Sequence, residues 1–355
     1  MGPLRLTVLS LLAVGTAACS ISTAAFTDGR GHVVPGSVAT MTDELIGGIP
    51  QRLWFRGVSA SAPALVLLHG GPGASESALF RRFNADLERH FLVVYWDQRG
   101  AGRSFTPAAS PESMTIARFV ADLDDVVELV RHRFQTERVV LLGHSWGSAI
   151  GLLYVARHPR KVAAYLGVGQ VVDMPRGERE SWAFARHEAE RRHHRDALAT
   201  LDRIGPPPHT VDEMLTSRKW VERFGGTFHE HRSTLGLIWA ALRTDEANLV
   251  DLVRFGRGNR FSLDQLWGEF RTLDLDTTCS FEVPIAFLLG RHDWVVPSVL
   301  AAEYFTRITA PRKQLVWFER SAHNVPFEEP ERFNRVVVET VNALTLGAAA
   351  ARERR

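Results

Sequence analysis

Short, unbroken apolar runs recur along the chain, and each stops abruptly at turn residues. Ala64 to Leu68 ends in His-Gly-Gly-Pro-Gly, Phe91 to Trp96 in Asp-Gln-Arg-Gly, and Val139 to Leu142 in Gly-His-Ser. Runs this short and this apolar fit strands buried on both faces. An amphipathic stretch follows each of them. The clearest is Met114 to Phe134, where Phe119, Leu123, Val126, Val127 and Val130 share a helical face that Asp122, Asp125, Glu128 and Arg131 avoid. Strands alternating with helices predict an α/β fold, with a mostly parallel central sheet and helices on both faces.

The rhythm breaks over residues 173–282, which are rich in Arg, His, Glu and Trp and contain Pro206-Pro207-Pro208. The stretch is too long for a loop and mostly helical in pattern, so it is expected to form an inserted helical cap. The alternation resumes with a strand over Val283 to Leu289, a helix over Ser298 to Ile308, a strand over Leu315 to Phe318 and a helix over Glu331 to Leu344. The expected organisation is a core from 37–172 and 283–346, interrupted by the cap and followed by a frayed tail over 347–355.

The first residues read as an address. Arg5 precedes the apolar stretch Leu6 to Val14, and Gly15-Thr16-Ala17-Ala18-Cys19 follows. A basic start, a short apolar segment and small residues describe a secretory signal over 1–19, with a linker over 20–36. A cysteine after two alanines resembles a bacterial lipobox, which would attach a lipid at Cys19. The expected location is outside the bacterial cytoplasm, secreted or membrane-anchored. Plain cleavage near Ala18, or a cytoplasmic protein with an overcalled start, is the alternative.

Composition narrows the chemistry. The 355 residues are 45% hydrophobic and 23% charged, with 42 Lys+Arg against 40 Asp+Glu, so no nucleic-acid partner is expected. Two cysteines give neither a disulfide framework nor a Cys-based zinc site. His187, His193 and His194 lack a carboxylate at ligand spacing, so no metal is expected. No apolar run approaches the roughly 20 residues of a membrane-spanning helix.

Gly143-His144-Ser145-Trp146-Gly147 stands between a strand and a helix, the context in which Gly-x-Ser-x-Gly lifts a serine hydroxyl clear of the backbone. Serine needs a base held by a third group. Asp293 and His323 each follow a later strand, so both belong at the sheet edge that carries Ser145, in the chain order Ser, Asp, His. Asp97, Asp274 and Asp276 are less well placed competitors. An acyl-transfer oxyanion needs two backbone N–H donors. These are expected from Trp146 and from the glycine loop after the first strong strand, with Gly71 favoured.

His69-Gly-Gly-Pro-Gly73, Asp97-Gln-Arg-Gly-Ala-Gly-Arg-Ser104 and Gly143-His-Ser-Trp-Gly-Ser148, with the Asp293 and His323 loops, resemble the α/β-hydrolase superfamily and within it the prolyl-iminopeptidase-like serine peptidases. The resemblance covers roughly Gly36 to Leu346. It implies cofactor-free hydrolysis through an acyl-enzyme, releasing N-terminal residues from small peptides, and a cap acid that binds the substrate amine. The Trp-Ser-x-Trp-Glu-like stretch carrying one such acid is missing. Trp239 in the aromatic stretch Leu235 to Leu242 has no acid beside it, which leaves Glu178, Glu180, Glu230 and Glu269 as candidates. Asp97, Arg99 and Ser104 are read as braces for the oxyanion region. A carboxylesterase or lactonase on small esters is the alternative, and a catalytically silent binding protein the remote one.

Overall fold

The computed structural model describes residues 23–106, 110–230 and 233–352. Residues 1–19, expected to form a secretory signal ending at Cys19, lie outside the described residues. Eight strands form one sheet: β1 (Val38–Ile46), β2 (Ile49–Gly57), β3 (Ala64–Leu68), β4 (Leu92–Trp96), β5 (Val139–His144), β6 (Val162–Val168), β7 (Ile285–Gly290) and β8 (Lys313–Phe318). Their order is β1-β2-β4-β3-β5-β6-β7-β8. The β1–β2 hairpin joins β4 antiparallel, and every pairing from β4 to β8 is parallel.

Every residue of β3, β4, β5 and β7 is buried, which is why these strands read as continuous apolar runs. Their side chains alternate between two layers. Val66 and Leu68 pack with Phe119, Leu123 and Ile150 on one face, while Leu65 and Leu67 pack with Phe80, Phe333 and Val337 on the other. The amphipathic helix runs Ile116–Arg133, and its start is fixed by Thr115, whose hydroxyl accepts the Arg118 N–H at 3.2 Å.

Among the described residues between β6 and β7 lie five helices: Met174–Arg191, Arg195–Ile204, Val211–Arg223, Thr234–Ala241 and Leu249–Phe270. The first three share a small core around Ala185, Leu201 and Val221. The last reaches the main core through Leu266, Trp267 and Phe270. The C-terminal helix spans Pro330–Arg352, so the tail expected to fray from residue 347 begins as helix; Ala348 to Ala351 are strong helix formers. No helix among the described residues is long and apolar enough to cross a membrane.

Candidate active site

The turn after β5 is shaped by contact, not by sequence preference alone. Ser145 sits at φ 52°, ψ −120°, a strained conformation for a residue with a side chain. Gly143 and Gly147 permit the turn. A Cβ on Gly143 would lie 2.5 Å from the Gly147 carbonyl oxygen, and one on Gly147 would lie 2.1 Å from the Leu68 carbonyl oxygen. The Ser145 N–H donates to the Val168 carbonyl at 2.9 Å, tying the elbow to the end of β6. The helix Trp146–Arg157 begins at the next residue and aims its N-terminus at this point.

Asp293 and His323 meet where sequence reasoning put them. The imidazole Nδ1–H donates to Asp293 Oδ2 at 2.8 Å, and Asp293 Oδ1 accepts the Val295 and Val296 N–H groups, each at 2.9 Å. Asp293 is buried with both its oxygens held by hydrogen bonds. With Nδ1 engaged, Nε2 is the nitrogen left to accept a proton. Ser145 and His323 line one cavity of about 380 Å3. No hydrogen bond joins Ser145 Oγ to His323 Nε2; links of this kind tighten when substrate binds. The competitors are occupied elsewhere: Asp276 pairs with Arg307 at 2.7 Å, and Asp274 accepts the Asp276 N–H at 2.8 Å.

The glycine loop passes directly over the serine. A Cβ on Gly70 would stand 3.2 Å from the Ser145 Cβ, and Gly71 adopts φ +116°, where a Cβ would meet the Gly73 and Ala74 nitrogens at 2.6 Å. The Gly70 N–H is spent on Glu76 Oε2 at 3.1 Å. Gly71 lines the cavity with Ser145, and Trp146 holds the first position of its helix.

Gln98, in the Asp-Gln-Arg-Gly turn, locks the two motifs together. Its N–H donates to His69 Nε2, its amide to the His69 carbonyl, and its Oε1 accepts the Trp146 indole N–H at 3.0 Å. Its neighbours are held by further hydrogen bonds. Asp97 accepts from Ser75, Ser77 and the Arg103 N–H, Arg99 forks onto Asp122, and the Ser104 hydroxyl donates to the Asp97 carbonyl.

Two acids, the buried Glu76 and the half-buried Glu328, escaped the sequence reading. Glu76 Oε1 pairs with His144 Nδ1 at 2.7 Å, and His144 Nε2 reaches the His323 carbonyl at 3.1 Å. Burial opposes charge on both, but their mutual attraction prevails, holding the Glu76 carboxyl below and the His144 imidazole above its ordinary range. Glu328 clasps the base loop from beneath, accepting the Ala322, Asn324 and His229 N–H groups at 2.9, 3.2 and 2.7 Å. The cap segment 226–229 is stitched to the same loops: Trp294 N–H donates to the Gly226 carbonyl and His323 N–H to that of Thr227.

Burial pushes the Glu328 carboxyl up to about 7, with the Asp293 charge adding and its three backbone donors opposing. A carboxyl raised in the fold stabilises it fully below its unfolded value, and that contribution is lost as pH rises through the folded value. Between pH 4.5 and pH 7, Glu328 should therefore cost the protein on the order of 2 kcal/mol as it ionises. Glu328→Gln is expected to flatten the fall in thermal midpoint over this window. A midpoint–pH curve parallel to that of the parent would refute the assignment.

Gly290 offers a steric test of the same loop. A Cβ there would lie 1.8 Å from the Ala322 carbonyl oxygen, next to His323. Gly290→Ala must move that loop by roughly 1 Å, and the expected result is a loss of about 10²-fold in kcat/KM. Unchanged turnover in a folded variant would mean that the loop position is immaterial.

The cap acids proposed for the amine are not at the cavity. Glu178 is paired with Arg218 and Glu230 with Arg320, Glu269 accepts the Ile116 N–H, and Glu180 does not line the cavity either. Those cap acids that do line it are Glu246 and Asp251, engaged by Arg81 at 3.0 Å and Arg103 at 2.8 Å respectively. Neither position follows from residue spacing, because each is selected by contacts to arginines in the distant core.

A family model described as alpha/beta hydrolase fold matches residues 63–330. The chain is 35% identical over 301 residues to a probable aminopeptidase, YbaC, of Bacillus subtilis (strain 168), covering 84% of this chain and 94% of that protein. It is 25% identical to a proline iminopeptidase of Heyndrickxia coagulans, over 90% of this chain and all of that one, 100%. A solved structure of a proline iminopeptidase-related protein from Thermus thermophilus superposes with a TM-score of 0.63 at 21% identity, over 86% of this chain and 98% of that chain.

Proposed function

Because the chain belongs to the α/β-hydrolase fold family, we propose that it is a serine aminopeptidase acting through an acyl-enzyme and releasing N-terminal residues from small peptides. The observation that carries this reading is the shared cavity. Its wall presents a serine on a strained turn beside an imidazole whose other nitrogen is fixed by a buried carboxylate.

Ser145 Oγ attacks the carbonyl carbon as His323 Nε2 takes its proton, and Asp293 holds the imidazolium that forms. The Gly71 and Trp146 N–H groups receive the developing oxyanion. Collapse expels the amine, which leaves with the proton from His323. Water then attacks the acyl-enzyme by the same route, freeing Ser145. The similarity to the Bacillus and Heyndrickxia proteins supports a peptide substrate with a free amine.

Small esters are the second reading, and one observation favours them: Glu246 and Asp251 already face arginines, so a substrate amine must compete for them. A panel of prolyl, alanyl and N-blocked arylamides beside short aryl esters separates the two. An aminopeptidase should lose about 10²-fold or more in kcat/KM when the amine is blocked. Equal rates on free and blocked amides, or a preference for esters, would transfer the assignment to an esterase.

A further inference from the structure

The cap carries an apolar surface that hydrolysis does not use. The helices Thr234–Ala241 and Leu249–Phe270 both line the cavity, with Leu237, Ile238 and Leu252 facing inward. Their other sides carry Leu235, Trp239, Leu249, Val250 and Val253, which do not line it and are 55% to 72% exposed. Leu235 and Trp239 are one turn apart, as are Leu249 and Val253, so each helix presents a coherent apolar ridge. Exposed apolar surface of this kind marks an interaction site.

The course of the chain says what covers it. Thr23, the first described residue, is buried and donates its hydroxyl to Glu246 at 2.8 Å. Glu246 stands two residues before Asn248, which caps the helix bearing Leu249, Val250 and Val253. Arg56 fixes the same strand of chain through the Ala24 carbonyl at 2.8 Å and the Phe26 ring at 4.9 Å. Three residues lie between Cys19 and Thr23, so the two are at most about 14 Å apart. The apolar stretch Leu6 to Val14 precedes it. A bilayer holding that leader, or a lipid on Cys19, would thus lie beside the exposed ridges. Their chemistry suits it: a tryptophan with aliphatic neighbours, and the exposed Arg243 and Arg257 against the exposed Asp245.

We propose that the cap face bearing Leu235, Trp239, Leu249, Val250 and Val253 seats on an anionic phospholipid bilayer. The inference goes beyond the hydrolytic reading, and vesicle binding is read independently of it.

The full chain carrying Cys19→Ala, which removes any lipid anchor, is mixed with phosphatidylcholine–phosphatidylglycerol vesicles made with brominated acyl chains. Quenching of tryptophan emission is expected, and most of it should vanish in Trp239→Phe. A second variant, Leu235→Ser with Leu249→Ser and Val253→Ser, should bind at least about tenfold more weakly while hydrolysing a soluble substrate within about twofold of the parent. Equal quenching in Trp239→Phe would overturn the proposal, as would equal vesicle binding by the triple variant. Concentration-dependent dimers without vesicle quenching, abolished by the same substitutions, would assign the face to a second copy instead. Failure of any of these leaves the chemistry at Ser145 untouched.

Discussion

Ser145→Ala is expected to lower kcat/KM by roughly 10⁴- to 10⁶-fold on any substrate the protein turns over. The hydroxyl is the only group on the turn that can carry the acyl chain. Its neighbours keep their places without it, since the Ser145 N–H still reaches Val168 and the glycines still admit the turn. The substitution should therefore leave the thermal midpoint almost unchanged. Ser145→Gly separates the two roles of the position. Glycine tolerates φ 52° freely, so it should stabilise the fold by about 1 kcal/mol while remaining equally inactive. An alanine variant that retains turnover would place the nucleophile elsewhere.

Asp293→Asn should cost about 10⁴-fold in kcat with little change in KM. The reason is directional. Two backbone N–H groups, from Val295 and Val296, converge on Oδ1, so the asparagine carbonyl is held there and its NH₂ is turned toward His323. An NH₂ facing Nδ1 can only donate, which forces the imidazole proton onto Nε2. That nitrogen then cannot take the serine proton. Asparagine fills the same space and keeps the Val295 and Val296 contacts, so a large loss of stability is not expected. A variant within tenfold of the parent would mean that Asp293 does not set the tautomer.

Ser145, Asp293 and His323 were legible because each is marked by local sequence. Ser145 stands between two glycines after an apolar strand, and Asp293 and His323 follow the last two strands. The fully buried strands were equally plain: Ala64–Leu68 forms with the limits its apolar run predicts. What escaped notice was decided by distant partners. The hairpin β1–β2 is half-exposed along β1 and mixes polar with apolar residues, so it gives no continuous run. In β6 two alanines and a glycine dilute the signal of Val162–Val168. Glu76 finds His144 68 residues away, and Glu328 is defined by three backbone donors, one of them in the cap. The cap acids were misjudged for the same reason. Glu178 and Glu230 look available along the sequence, but Arg218 and Arg320 claim them in space.

The most direct test of an activated serine is covalent. The protein is treated with a fluorophosphonate and its mass is read intact and after digestion. The account predicts one adduct, on Ser145, absent from Ser145→Ala and formed at least about 10²-fold more slowly in His323→Ala. An adduct on another residue, or labelling of His323→Ala as fast as the parent, would contradict it.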